Sequence, residues 1–124
     1  MSSFPHRHKY MLSAIEQLID QCDDFYLWLN EYDHVPKELL AYGEKLHVKV
    51  NVENLKDNGR LMFLDECKDD YCFICDDDID WPKDYVQHTL ECFDWYGENI
   101  VTGYFAYGGY DIANKVSMDI ILGK

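Results

Sequence analysis

The sequence predicts an α/β fold in which a parallel sheet of short, buried strands is flanked by helices. Stretches with helical spacing alternate with short extended apolar ones along the chain, the pattern of strand–helix–strand units. One extended stretch, "FYLWLN", is almost wholly apolar, as a strand covered on both faces must be. No internal repeat, low-complexity tract or Pro/Gly/Ser-rich linker divides the 124 residues, so a single domain with one modest core is expected.

The elements follow in order. Only "SSF" precedes the first helical pattern, so the first strand is expected to be either very short or missing its beginning. In "HKYMLSAIEQLIDQC", Leu12, Ile15, Leu18 and Ile19 recur at the three- and four-residue steps of an amphipathic helix. "FYLWLN" is the next strand. After a turn around residues 33–36, "KELLAYGEK" reads as a short helix ended by Gly43, and "LHVKVNV" alternates like a strand. "DNGRLMFLDECKDD" predicts a helix over residues 59–67, and "YCFIC" predicts a strand over residues 71–75. Pro82 suits the first turn of a helix running to Tyr96, with Val86, Leu90 and Phe93 on its inner face. "NIVTGYFAY" closes the run as a final strand.

Acidic residues outnumber basic ones 24 to 11, for a formal net charge of -13. Such a field repels nucleic-acid backbones and anionic membranes. It also repels an anionic small molecule unless a cation stands between the two. No apolar run approaches the roughly 20 residues that span a bilayer, and "MSSFPHRHKY" lacks the apolar centre of a secretory signal. A cytoplasmic, reducing setting with five free cysteines is therefore expected. Cys72 and Cys75 form a CxxC pair. On a strand, residues three apart face opposite ways, so packed thiols are favoured over a metal or redox site.

In a doubly wound, Rossmann-like sheet, ligands collect at the carboxyl ends of the strands. That gathers "SSFPHR", "NEYDHVP", "ENLKDNGR" and "DDDIDWP" at one end. The last contains Asp76, Asp77 and Asp78, three consecutive carboxylates leaving an apolar segment. Acids at this density suit a hard divalent cation with oxygen ligands, Mn2+ or Mg2+ rather than zinc, since no His or Cys is placed to help. The plain alternative is a solvated acidic loop.

The order of "SSFPHR", "LWLNEY..VP", "DNGRLMFL" and "CFICDDDIDWPKDYV" resembles the nucleotide-sugar-binding half of glycosyltransferases with the GT-A fold, closest to the family-2-like enzymes. The resemblance covers the chain from Ser2 to about Gly109. It implies that Asp76, Asp77 and Asp78 hold a divalent ion against the diphosphate of a sugar nucleotide, with a UDP-sugar as the expected donor. If Ile79 and Pro82 are matched to the family pattern, Asp77 and Asp78 take the doubled acidic position. A simple DxD reading picks Asp76 and Asp78 instead, and Asp78 is a ligand under both. The resemblance also implies base and ribose contacts from Ser3, Phe4 and Arg7 and from Asn30 and Glu31. It sets Asp57 against the base and Arg60 near the phosphates. The ordinary readings stand beside these: surface charges for Arg7 and Arg60, a helix cap for Asp57, turn residues for Asn30 and Glu31.

Transfer with inversion needs a general base, which in this family lies well downstream of the aspartates. Here Asp111 and Asp119 follow in the tail, but neither sits in a recognisable family pattern, and no catalytic residue is assigned. Lys124 comes fewer than fifty residues after Asp78, so the acceptor half is expected to be missing. Either the chain is a donor-binding half, or a second copy or partner subunit completes it through the edge after "NIVTGYFAY" and the aromatic "GYFAYGGY". A non-catalytic acidic cation-binding or interaction module that retains the fold is the alternative function.

Overall fold

The computed structural model describes residues 1–67 and 71–96 in full and, beyond them, the backbone of residues 100–101, 104–105, 117–118 and 121–122. It forms two compact units, Met1–Lys83 and Asp84–Lys124.

The first unit carries a three-stranded parallel sheet in the order β1 (Ser2–Ser3), β2 (Phe25–Asn30), β3 (Leu46–Asn51). β2 runs in register with β3 from Phe25↔Leu46 to Asn30↔Asn51, while β1 offers only Ser2↔Trp28 and Ser3↔Leu29. Between β1 and β2 lie a single 3-10 turn, Pro5–Arg7, and helix α1, His8–Leu18. A further 3-10 turn, Ile19–Gln21, extends α1. This is the predicted strand–helix–strand start. Met11, Ala14, Ile15 and Leu18 form the buried stripe of α1, and Leu27 and Leu29 of β2 are fully shielded from water. β2 is central and covered on both faces, so its near-continuous apolar run is what its place in the sheet demands.

One face of β2 presents Tyr26, Trp28 and Asn30, because alternate residues share a side. Tyr26 stacks on His47 with ring centroids 4.7 Å apart, and Phe63 meets Tyr26 at 5.1 Å and Trp28 edge-on at 6.2 Å. The Lys49 ammonium caps Phe63 at 4.7 Å from its centroid. A 3-10 segment, Lys56–Leu61, packs against β1 and β2 on this side, with Gly59 buried beneath the Trp28 indole.

Several elements differ from expectation. The segment Lys37–Lys45 is 3-10 rather than α-helical and is interrupted at Gly43, whose φ of 64° is cheap only for glycine. The helix expected over residues 59–67 is replaced by the Lys56–Leu61 segment and succeeding turns. Its bonds run i to i+3: Asn58 N to Leu55 O at 3.1 Å, Met62 N to Gly59 O at 3.2 Å and Glu66 N to Phe63 O at 3.0 Å. The expected strand at residues 71–75 is not a strand. Its natural neighbour, β1, supplies just two residues of template, too little to propagate a ladder.

In the second unit, helix α2 spans Tyr85–Tyr96 and starts three residues after Pro82. Its buried face is Tyr85, Thr89 and Cys92, one position ahead of the expected Val86, Leu90 and Phe93, which are half-buried. Thr89 and Cys92 tolerate burial because each bonds back to the preceding turn, Thr89 Oγ1 to Tyr85 O at 2.7 Å and Cys92 Sγ to His88 O at 3.1 Å. The expected closing strand appears as two short ones in antiparallel pairings. β4 (Ile100–Val101) pairs with β7 (Ile121–Leu122), and β5 (Tyr104–Phe105) pairs with β6 (Ser117–Met118). Asp111, Asp119 and most of "GYFAYGGY" lie outside the described residues.

Among the described residues no helix is long and apolar enough to cross a membrane.

Candidate functional site

At the carboxyl ends of β1 and β2 a small open cleft of about 140 Å³ is lined by Ser2, Ser3, Phe4, Arg7 and Asn30, by Asn54, Lys56 and Asp57, and by Asp76 and Asp77. Ligand pockets for whole small molecules typically exceed roughly 300 Å³, so this cleft encloses part of a nucleotide-sized ligand and leaves the rest open.

Asn30 organises its floor. Only 2% exposed, it accepts the Leu55 N–H at 2.8 Å and the Trp28 indole N–H at 3.2 Å through Oδ1, and its Nδ2 donates to the Lys56 carbonyl at 3.3 Å. One side chain thus ties the end of β2 to the loop after β3. That loop is made of two successive Asx turns: Asn51 Oδ1 accepts from Glu53 N at 3.3 Å, and Asn54 Oδ1 from Lys56 N at 2.7 Å. Lys56 then takes a left-handed φ of 51°, which ends the loop beside the cleft. Glu31 also has a positive φ, 59°, but it is exposed and stands outside the cleft lining.

The three aspartates part company. Asp76 pairs with Arg60 Nη1, and its carbonyl accepts the Trp81 indole N–H at 3.1 Å. Arg60 also holds Asp57, with Nη2 3.0 Å from Oδ1 and Nε donating to the Asp57 carbonyl at 3.1 Å. The "DNGR" turn is therefore latched to the acidic cluster, while Arg60 itself lies outside the cleft lining. Asp77 and Asp78 converge on one atom: Arg7 Nη1 lies 2.9 Å from Asp77 Oδ1 and 3.0 Å from Asp78 Oδ2. The hydrogen bond to Asp77, with the nearby carboxylates, raises the Arg7 pKa above its ordinary value. The guanidinium also sits over the Phe4 ring, 5.3 Å from its centroid. The mutual repulsion of three adjacent carboxylates is thus relieved by two arginines.

Two polar atoms are buried with no partner among the described residues, Ser3 Oγ and Asp77 Oδ2, and both residues line the cleft. Buried polar groups ordinarily find partners, so these two mark the wall as built for something else.

The expected triple-aspartate metal site is not formed by protein groups alone. Among the described residues no three His, Cys, Asp or Glu side chains are grouped to hold an ion. Mg2+ and related ions, however, are commonly held by one or two carboxylates plus substrate phosphates and water. Asp77, with its unpartnered Oδ2, and the half-exposed Asp78 fit that smaller role. Asp76, engaged by Arg60, fits it less well.

The CxxC thiols are a separate matter. Cys75 is buried and Cys72 exposed. Burial pushes the Cys75 thiol up to about 12, and burial with a hydrogen bond to Cys72 pushes Cys67 to about 11. Neutral thiols of this kind are poor nucleophiles and poor metal ligands.

The family model for glycosyl transferase family 2 matches residues 7–121. The chain belongs to that family. Its strand-end cleft is then the cleft of a glycosyl transferase domain, and membership implies binding of a nucleotide-sugar donor. Enzymes of the family commonly use divalent metal ions. The three-stranded parallel sheet with flanking helices agrees with the Rossmann-like GT-A fold expected from the sequence. No curated protein matched the chain in a sequence search.

Of the residues singled out from the sequence, Ser3, Phe4, Arg7, Asn30, Asp57, Asp76 and Asp77 line this strand-end cleft. Glu31, Arg60 and Asp78 do not, though Arg60 and Asp78 are tied to residues that do. Ser2, Asn54 and Lys56 lie in the loops "SSFPHR" and "ENLKDNGR" expected at this end, but the sequence singles none of them out. The Asn-x-x-Asn-x-Lys spacing of "NVENLK" was the available signal, since Asn favours turns that bond two residues on.

Proposed function

We propose that this cleft receives the nucleoside diphosphate of a sugar donor, a UDP-sugar as the donor class, and that the domain passes the sugar to an acceptor hydroxyl with the help of Mn2+ or Mg2+. The observation that supports it most is Asp77: a carboxylate buried at the strand ends of a family 2 chain, with one oxygen left unpaired. Asp77 and Asp78 would hold the ion, and Asp76 would hold Arg60 in place. Bound there, a divalent ion supplies Lewis-acid stabilisation of charge on the departing diphosphate.

The chain's own residues bind and orient the donor. Arg7, Lys56 and Arg60 set three cations around the cleft, but Asp57, Asp76, Asp77 and Asp78 outnumber them, so in a protein with a net charge of -13 a diphosphate needs the divalent ion as well as these cations. Ser3 Oγ offers a buried, unused hydrogen-bonding group to the nucleoside. The cleft's small volume leaves the sugar outside, where an acceptor can reach it.

Calorimetric titration with UDP, with and without Mn2+, tests the reading, with ADP, GDP and CDP run in parallel. UDP is expected to bind at least tenfold more tightly with Mn2+, and Asp77→Asn to abolish that difference. A folded sample that binds no nucleotide under either condition overturns it.

A further inference from the structure

The ion pair at the centre of the cleft puts a conflict into the metal reading. Arg7 Nη1 stands 2.9 Å from Asp77 Oδ1 and 3.0 Å from Asp78 Oδ2. Asp77 Oδ2 is enclosed, so an Mg2+ bridging the two carboxylates would take the oxygens that Arg7 now engages, Asp77 Oδ1 and Asp78 Oδ2; at about 2.0–2.1 Å from each it would occupy the space that Nη1 fills. A guanidinium and a divalent ion at that separation also repel one another strongly. The two cations exclude each other.

Their anchoring is unequal. Asp77 is fixed: its side chain is 4% exposed and its Oδ2 is enclosed, with no partner among the described residues. Arg7 is held lightly, with a side chain 42% exposed on a single 3-10 turn, and only Nη1 is committed to the aspartates. Nη2 and Nε make no hydrogen bond among the described residues. The guanidinium can therefore leave while the carboxylates stay, and its planar fork of donors matches phosphate oxygens.

We propose that Arg7 is a displaceable counter-ion: it closes Asp77 and Asp78 in the empty cleft, opposes a divalent ion arriving alone, and transfers to the diphosphate when nucleotide and ion bind together. The proposal rests on the nucleotide-diphosphate reading above. It makes metal and nucleotide binding cooperative by construction, since whichever ligand displaces or engages Arg7 lowers the cost for the other, and linkage requires the effect to be mutual. Arg7 is thus a positioning residue whose effect reads out in metal affinity before any turnover.

The test is calorimetric titration of Mn2+ alone, then UDP at saturating Mn2+, into the unaltered chain, Arg7→Gln and Arg7→Lys, each checked for folding by circular dichroism. Arg7→Gln is expected to bind Mn2+ alone about tenfold more tightly than the unaltered chain, while the gain in UDP affinity conferred by Mn2+ shrinks by a similar factor. Arg7→Lys keeps the charge with a single donor and is expected to stay close to the unaltered chain for Mn2+ alone. Equal Mn2+ affinity in all three, or weaker binding in Arg7→Gln, overturns the counter-ion role even if UDP binds as proposed. Tighter Mn2+ binding by Arg7→Gln with no UDP binding anywhere supports the displaced cation and overturns the nucleotide reading and the transfer of Arg7 to phosphate. No Mn2+ binding by any of the three overturns the counter-ion role, and the nucleotide reading is then decided by the UDP titrations alone.

Discussion

Gly59 sits where an added methyl group has nowhere to go. A Cβ built there would lie 2.4 Å from Trp28 Cδ1 and 2.9 Å from Cγ. In Gly59→Ala the indole must retreat by about 1 Å to reach ordinary contact, or the Lys56–Leu61 segment must lift off β2. Overpacking of this kind costs about 1–3 kcal/mol. The shift also stretches the Trp28–Asn30 hydrogen bond, already 3.2 Å long, whose loss adds about 1 kcal/mol. The expected destabilisation is therefore about 2–4 kcal/mol, a large share of the roughly 5–15 kcal/mol a domain possesses. Urea unfolding followed by circular dichroism, with tryptophan emission recorded in parallel, measures it. A loss under about 0.5 kcal/mol with unchanged emission would refute the reasoning, since it would mean that Trp28 and Gly59 are not packed as described.

Asn30→Ala removes the acceptor of Leu55 N and Trp28 Nε1 and the donor to Lys56 O, with an expected cost of about 1–3 kcal/mol in the same unfolding assay. Asn30→Asp keeps the acceptor but sets a carboxylate oxygen against the Lys56 carbonyl at a site only 2% exposed, so it should cost at least as much as Asn30→Ala; a smaller cost would contradict the assigned amide orientation. Burial raises the Cys75 pKa to about 12 from 9.0, so between those limits the folded state holds a proton that the unfolded chain releases. Stability from this group is complete below about pH 9 and is lost as pH climbs toward 12, by up to about 1.4 kcal/mol per pH unit. The slope of urea midpoint against pH above 9 should be shallower in Cys75→Val by about one proton's worth, and identical slopes would rule the attribution out.

Much of the first unit was legible because its residues have few alternatives. Six consecutive residues from Phe25 to Asn30 are buried or nearly so, and only a central strand hides such a run on both faces. The stripe of α1 was readable for the same reason. What failed to read were elements decided by neighbours. "YCFIC" has the composition of a strand, yet a strand exists only through its partner, and β1 is two residues long. "DNGRLMFLDEC" has helical content, but the left-handed Lys56 and the contact of Gly59 with Trp28 impose 3-10 geometry on it. In α2 the buried face turned by one residue because Thr89 and Cys92 satisfy their polar atoms within the helix, which hydrophobic periodicity does not register. At the site, the sequence singled out the acids but not their pairing, since Arg7 and Asp77 stand 70 positions apart and no local spacing joins them.

With no ladder running through residues 71–76, the aspartate cluster is hung from side chains rather than woven into the sheet. Its moorings are Arg7 and Arg60, together with Gln17 Oε1 accepting from Trp81 N and Gln21 Nε2 donating to Pro82 O at 2.8 Å. Two of those four ties are ionic and partly wet, so dissolved electrolyte loosens them, whereas the strand ladder is indifferent to it. The acidic corner can therefore slacken at high ionic strength while β2 and α1 stand unchanged, and the cleft's shape becomes a property of the buffer as much as of the fold.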